Sequence, residues 1–169
     1  MAIAYYSFAT LAWLSAQAVP LILSPTFIAS LLTPNYQHAN PVEEYFARSL
    51  GFTQLALGLI VVTLSGAVPL TSLTESPTDA GSPYANAVVL LSTLYHFSTA
   101  FFSYTRYTES GVGGFAFGII GSGILAAFGL WVLLFGSGGH ISKRTGADKR
   151  TSGFPFRNHE ANKRKGKEL

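Results

Sequence analysis

The stretch Leu50–Leu70, LGFTQLALGLIVVTLSGAVPL, decides the fold. No charged residue interrupts the chain from Ser49 to Thr74, and Glu43, Glu44 and Arg48 stand just before it. A helix rises about 1.5 Å per residue, so some 20 apolar residues cross a hydrocarbon layer of roughly 30 Å. Three more stretches of this kind surround it. The sequence therefore predicts an all-α integral membrane bundle of four transmembrane helices, residues 1–139, followed by a disordered basic C-terminal tail, residues 140–169. Spans are expected at about residues 4–32, 43–70, 84–107 and 111–135.

Composition points the same way. Hydrophobic residues make up 49% of the chain and charged residues 11%, against about 25% charged in a soluble domain. The formal charge of +3 conceals an asymmetry. Nine of the eleven basic residues follow position 142, and with Asp148, Glu160 and Glu168 they leave the tail at +6 and the remainder at −3. A basic segment beside a membrane predicts a cytosolic side facing anionic lipid, and no nucleic-acid partner. The chain has no cysteine, which excludes disulfides, thiolate metal sites and cysteine nucleophiles. The first residues lack the positive n-region of a signal peptide and the arginines of a transit peptide.

Along the chain, Pro20 and Pro25 predict a kink or break in the first span, leaving Ala4–Leu23 and a short segment Thr26–Leu32. Ser24 is placed to cap that segment, with Pro25 at its first position. Ser7, Thr10, Leu14 and Gln17 share one face of the first span. The loop Thr33–Pro41 holds His38. In the second span, Glu43 and Glu44 fall in the first turn, where the helix dipole favours negative charge. Glu44 and Arg48 are spaced for an interfacial ion pair. Ala47, Gly51 and Gly58 form a small-residue face with Gln54 beside it, and Pro69 is expected to end or kink the helix. The segment Thr71–Pro83, carrying Glu75 and Asp79, has loop composition.

The third span carries Ser92, His96, Thr99, Ser103 and Arg106 at spacings of 4-3-4-3, one polar stripe on an otherwise apolar helix. This stripe is expected to turn inward, because an unpaired polar group in hydrocarbon costs several kcal/mol. The fourth span has Gly114 and Gly118 as a GxxxG, followed by Gly121. This glycine face is expected to make the closest helix–helix approach.

His96 is the sharpest candidate, since ionisable groups deep in a span are costly and often functional. It can serve as a proton acceptor or a ligand-binding group. The reading the sequence favours is a neutral histidine hydrogen-bonded to a Ser, Thr or Gln on a neighbouring helix. No carboxylate or second histidine shares its stripe, so no metal and no other cofactor is expected. Glu43 or Glu44 with His38 or His96 would suit acid–base work; helix-start stabilisation accounts for the same carboxylates. The candidate polar intramembrane site is thus His96, Ser92, Thr99 and Ser103, with Gln54 and Gln17 from neighbouring helices. The GVGG of Gly111–Gly114 lacks the Lys-Ser/Thr of a phosphate loop.

The segments Tyr45–Ser72, YFARSLGFTQLALGLIVVTLSGAVPLTS, and Ser142–Phe156, SKRTGADKRTSGFPF, resemble a group of small uncharacterised four-pass membrane proteins of filamentous fungi. The resemblance implies a eukaryotic membrane protein and assigns no functional residue. The helix count is also similar to that of DoxX-like and sterol-isomerase-like (emopamil-binding) proteins. The latter use several intramembrane Glu and His residues, and here only His96 lies deep.

Two functional readings follow. In the first, the protein is a non-enzymatic endomembrane component that packs against lipid, a membrane partner or a second copy of itself. In the second, it is a small ligand-binding protein, transporter or lipid-modifying enzyme built around His96 and its stripe. A dry interior with His96 satisfied by one hydroxyl favours the first; a polar interior joining His96 to Gln17, Gln54 or Glu44 favours the second. The positive-inside rule places both termini in the cytosol. Lys165 and Lys167, fifth and third from the last residue, match the K-x-K-x-x retrieval pattern and predict residence in the endoplasmic reticulum or early secretory membranes.

Overall fold

The computed structural model describes residues 2–33, 40–68 and 82–136. It contains α1 (Ala2–Leu23), α2 (Pro25–Leu32), α3 (Pro41–Leu64), α4 (Ala85–Ser110) and α5 (Gly114–Trp131), the last continued by a π-helical turn, Val132–Gly136. There is no strand among the described residues. His38, Pro69, Glu75, Asp79 and the basic tail with Lys165 and Lys167 lie outside the described residues.

The boundaries follow from local chemistry. α1 runs through Pro20 and stops at Leu23, where the Ser24 amide donates to the Pro20 carbonyl at 2.9 Å. Pro25 has no amide to continue the ladder and instead opens α2. Ser24 occupies the expected cap position but makes no capping bond with its side chain. Its ψ of 75° departs from the extended backbone of a usual N-cap, and its hydroxyl faces Thr26 Oγ1 at 3.4 Å instead. α3 begins on a capping box. Val42 N donates to Asn40 Oδ1 at 3.1 Å, and Asn40 N donates to Glu43 Oε2 at 3.2 Å. α3 ends at Leu64, ahead of the proline expected to terminate it. Gly66 takes a left-handed φ of 73°, which glycine adopts without steric cost, and the Ser82 hydroxyl donates to the Leu64 carbonyl at 2.6 Å. α4 stops the same way, with Gly111 at φ 67° donating to the Tyr107 carbonyl.

The long helices form two antiparallel pairs, α1 with α3 and α4 with α5. Glycines set the closeness of each pair. A Cβ added at Gly51 would stand 3.0 Å from the Ala18 carbonyl oxygen, and one at Gly58 would stand 2.8 Å from Leu11. In the second pair, a Cβ at Gly118 would meet Ser103 Oγ at 2.6 Å, and one at Gly129 would collide with Thr93 and Tyr6. The seam between the two pairs is sparser. It is bridged by side-chain hydrogen bonds: Tyr6 to Ser92 at 2.9 Å and to Thr93 at 3.2 Å, and Trp13 to Ser122 at 3.3 Å.

The outer surface is apolar on every side. Phe8, Leu59, Leu91, Phe97, Phe101, Phe117 and Ile124 are all exposed. A soluble monomer rarely leaves such a surface uncovered. Four of the helices are long and apolar enough to cross a membrane. The all-α membrane bundle read from the sequence is the architecture found.

The glycine face of α5 is shared among several helices. A Cβ at Gly114 would meet the Leu31 carbonyl of α2, one at Gly118 would meet α4, and one at Gly121 would meet the Trp13 ring of α1. The three glycines therefore serve three neighbours, because α5 lies in the wedge between α1, α2 and α4. Gly129, on the same helix, is as tight, whereas a Cβ at Gly51 or Gly58 would stand 2.7 or 2.8 Å from α1 side chains, so the tightest approaches run along α5.

Candidate functional site: a buried polar layer

The interior polar groups are ordered by helix register. Gly129 meets Tyr6 and Thr93, and Gly121 and Ser122 meet Trp13. As α5 descends, α1 and α4 ascend, so α1 and α4 run parallel. Tyr6 therefore marks one level, with Ser92 and Thr93. One turn further along lie Thr10 on α1 and His96 on α4.

The first level is fully satisfied. Ser92 donates to the Val88 carbonyl at 2.8 Å, and Thr93 donates to the Val89 carbonyl at 2.6 Å. With their own protons engaged, both hydroxyls are left as acceptors, and the single Tyr6 phenol proton is donated toward Ser92 at 2.9 Å, with Thr93 the second acceptor at 3.2 Å. Tyr6 is completely buried, and Phe128 stands edge-on to it at 5.7 Å between ring centroids.

The next level is not satisfied. His96 is 0% exposed, and neither of its ring nitrogens has a partner among the described residues. The hydrogen-bonded neutral histidine expected from the sequence is not what the structure contains. On its own helix the Ser92 and Thr99 hydroxyls donate to the Val88 and Tyr95 carbonyls, and the neighbouring-helix polar atoms Thr10 Oγ1 and Gln54 Oε1 make no bond to it. Thr10 Oγ1 on α1 and Gln54 Oε1 on α3 are buried without partners as well. Gln54 uses its other amide atom, Nε2, to donate to Gln17 Oε1 at 3.3 Å. Three helices thus contribute four buried, unpaired polar atoms near the middle of the bundle. Native interiors rarely leave such groups unpaired unless a water or ligand meets them.

The other members of the stripe separate. Ser92 and Ser103 are buried, Thr99 is half-buried, and Arg106 is exposed, pairing with Glu109 at 3.0 Å. Glu44 and Arg48 form the expected ion pair at 3.6 Å on the exposed start of α3. Glu43 is held by the capping box, so the two carboxylates do not converge on one substrate. No group of three or more His, Cys, Asp or Glu side chains able to hold a metal occurs among the described residues.

Residues 6–169 match the DUF8792 family, described as a domain of unknown function. The chain belongs to that family. No curated protein and no solved structure matches it. The DUF8792 assignment accords with the resemblance to a group without assigned activity and confers no site residue.

Within this DUF8792 domain, Tyr6, Thr93, Trp13, Ser122 and Gly129 belong to the polar seam but were not singled out by sequence reasoning. Some signals were present. Tyr6 stands one turn before Thr10 on the polar face of α1. Gly129 extends the row Gly118, Gly121, Leu125 by one more helical step. Nothing in the sequence pairs Trp13 with Ser122, which requires knowing that α1 lies beside α5.

Proposed function

We propose that this protein is a non-enzymatic integral membrane protein that binds a small uncharged ligand between its helices. The single observation that supports this is the unpaired set of His96, Thr10 Oγ1 and Gln54 Oε1, buried and contributed by three helices. In hydrocarbon such groups cost several kcal/mol each when nothing meets them. A neutral imidazole offers one donor and one acceptor, a threonine hydroxyl offers both, and the glutamine oxygen accepts. The set therefore suits a ligand that can both donate and accept. The set carries no carboxylate or fixed charge to balance an ion, which favours an uncharged ligand.

The test is purification of the full chain in mild detergent, followed by mass spectrometry of the small molecules retained by wild type and by His96→Leu. Wild type should retain a species that His96→Leu loses. The variant should melt at the same temperature or higher, because leucine removes a buried polar group that no protein atom satisfies. If both proteins retain the same molecules, or none, the ligand-binding reading falls. The protein would then act by packing on lipid or a membrane partner.

Residence in the endoplasmic reticulum or early secretory membranes, with a cytosolic tail, belongs to the same proposal. Its support is the nine basic residues after position 142 and the spacing of Lys165 and Lys167. Replacing both lysines by serine should move a tagged protein to later compartments in fluorescence microscopy. Unchanged localisation would refute retrieval. Digestion of the tail by protease added outside sealed microsomes checks the orientation separately.

A further inference from the structure

We infer that the ligand is a neutral lipid bearing one hydroxyl, and that it enters sideways from the membrane between α1 and α5. The inference rests on the ligand-binding reading above. Its own observation is a groove of about 450 Å³ between these two helices, within the range of roughly 300–1,000 Å³ typical of ligand pockets. Ala9, Ala12 and Ala16 form one wall, and Ile124 and Leu125 form the other. Trp13, stacked over Gly121 and tied to Ser122, stands at one end.

The groove is open to the membrane along its length and lined by apolar side chains. Ile124 is 64% exposed at its mouth, and Leu125 is 6% exposed at its back. Leu125 lies midway along α5 between Gly121, which meets Trp13, and Gly129, which meets Tyr6. On α1 the residue midway between Tyr6 and Trp13 is Thr10, and His96 shares that level on α4. The back wall of the groove, Leu125, and the unpaired atoms of Thr10 and His96 are therefore at one depth in the bundle, while Gln54, bonded to Gln17, lies at a level further along α1. Only the sparse seam between the helix pairs intervenes.

The lining restricts the entrant. The walls are alanine, isoleucine and leucine, so a charged or strongly hydrated molecule would lose its water and gain nothing in exchange. A long apolar chain fits the groove without that loss. A single hydroxyl at its end donates once and accepts twice, which suits one ring nitrogen of His96 together with the Thr10 hydroxyl.

The test uses the full-length protein in phosphatidylcholine nanodiscs, a diazirine-bearing hexadecanol, and a diazirine-bearing alkane of equal length. The alcohol should label peptides containing Ala9–Ala16 and Ile124–Leu125, and unlabelled hexadecanol should displace it. His96→Leu should bind the alcohol about ten-fold more weakly, the equivalent of one lost hydrogen bond. Ala12→Trp, which fills the groove without touching a polar group, should abolish labelling. Ile124→Trp serves the same purpose if Ala12→Trp does not fold. Equal labelling by alcohol and alkane, or unchanged labelling in the tryptophan variants, overturns the inference. Diethylpyrocarbonate added from water separates the two readings. If it modifies His96 and hexadecanol gives no protection, the ligand comes from water and the lipid route is wrong, while a binding site at His96 stands. If His96→Leu also retains every molecule that wild type retains, both readings fall.

Discussion

Gly129→Leu is expected to unfold the protein in mild detergent under conditions that leave Gly123→Leu intact. A Cβ at Gly129 collides with Thr93 Oγ1 and comes within 2.9 Å of the Tyr6 ring, whereas one at Gly123 has nothing within 4 Å. Overpacking alone costs about 1–3 kcal/mol. Displacing Tyr6 from Ser92 and Thr93 adds about 1 kcal/mol for the lost hydrogen bonding. The sum, about 2–4 kcal/mol, is a large fraction of a marginal stability of about 5–15 kcal/mol. Fluorescence-detected size-exclusion chromatography after a heating series reads the outcome. Equal melting of the two variants would mean that α4 and α5 are not in close contact at this level.

The second large effect is expected at Tyr6. Tyr6→Ala removes a fully buried ring that contacts Phe128 and bridges α1 to α4. Large-to-small changes of this kind cost about 3–5 kcal/mol in aromatic cores. Tyr6→Phe keeps the ring and removes only the donor, at about 1 kcal/mol. The ratio discriminates between mechanisms. If Tyr6→Phe is as damaging as Tyr6→Ala in a detergent melt, the hydroxyl bonds across the seam outweigh ring packing. If neither variant shifts the melt, Tyr6 does not join the two pairs.

The membrane bundle was legible because hydrophobic length is a strong signal, and Leu50–Leu70 alone is long enough to cross. Helix ends were less so. The stop at Leu64 depends on Gly66 adopting a left-handed turn and on a hydroxyl from Ser82, eighteen residues further on. The Asn40–Glu43 capping box is present in the sequence, yet Glu43 is read there only through the helix dipole and an acid–base role. The inward burial of His96 could be read from the stripe, because periodicity assigns a face. Its lack of a partner could not, because that depends on whether hydroxyls of other residues turn toward it or back to their own helix. Thr10 and Gln54 come from separate spans, and only the packing of α1, α3 and α4 brings their unpaired atoms into the same interior.

The division into two helix pairs has a consequence for biosynthesis. A ribosome delivers α1 and α3 to the bilayer before α4 and α5 exist. The first pair can close at once through Gly51, Gly58 and the Gln17–Gln54 bond. The Tyr6 phenol has then no Ser92 or Thr93 to receive its proton, and the Trp13 indole has no Ser122. The newborn half presents both donors to lipid until the second half arrives. The seam is thus where assembly is completed, and the same unmet donors would mark a half-made chain for any quality-control factor that samples the membrane interior.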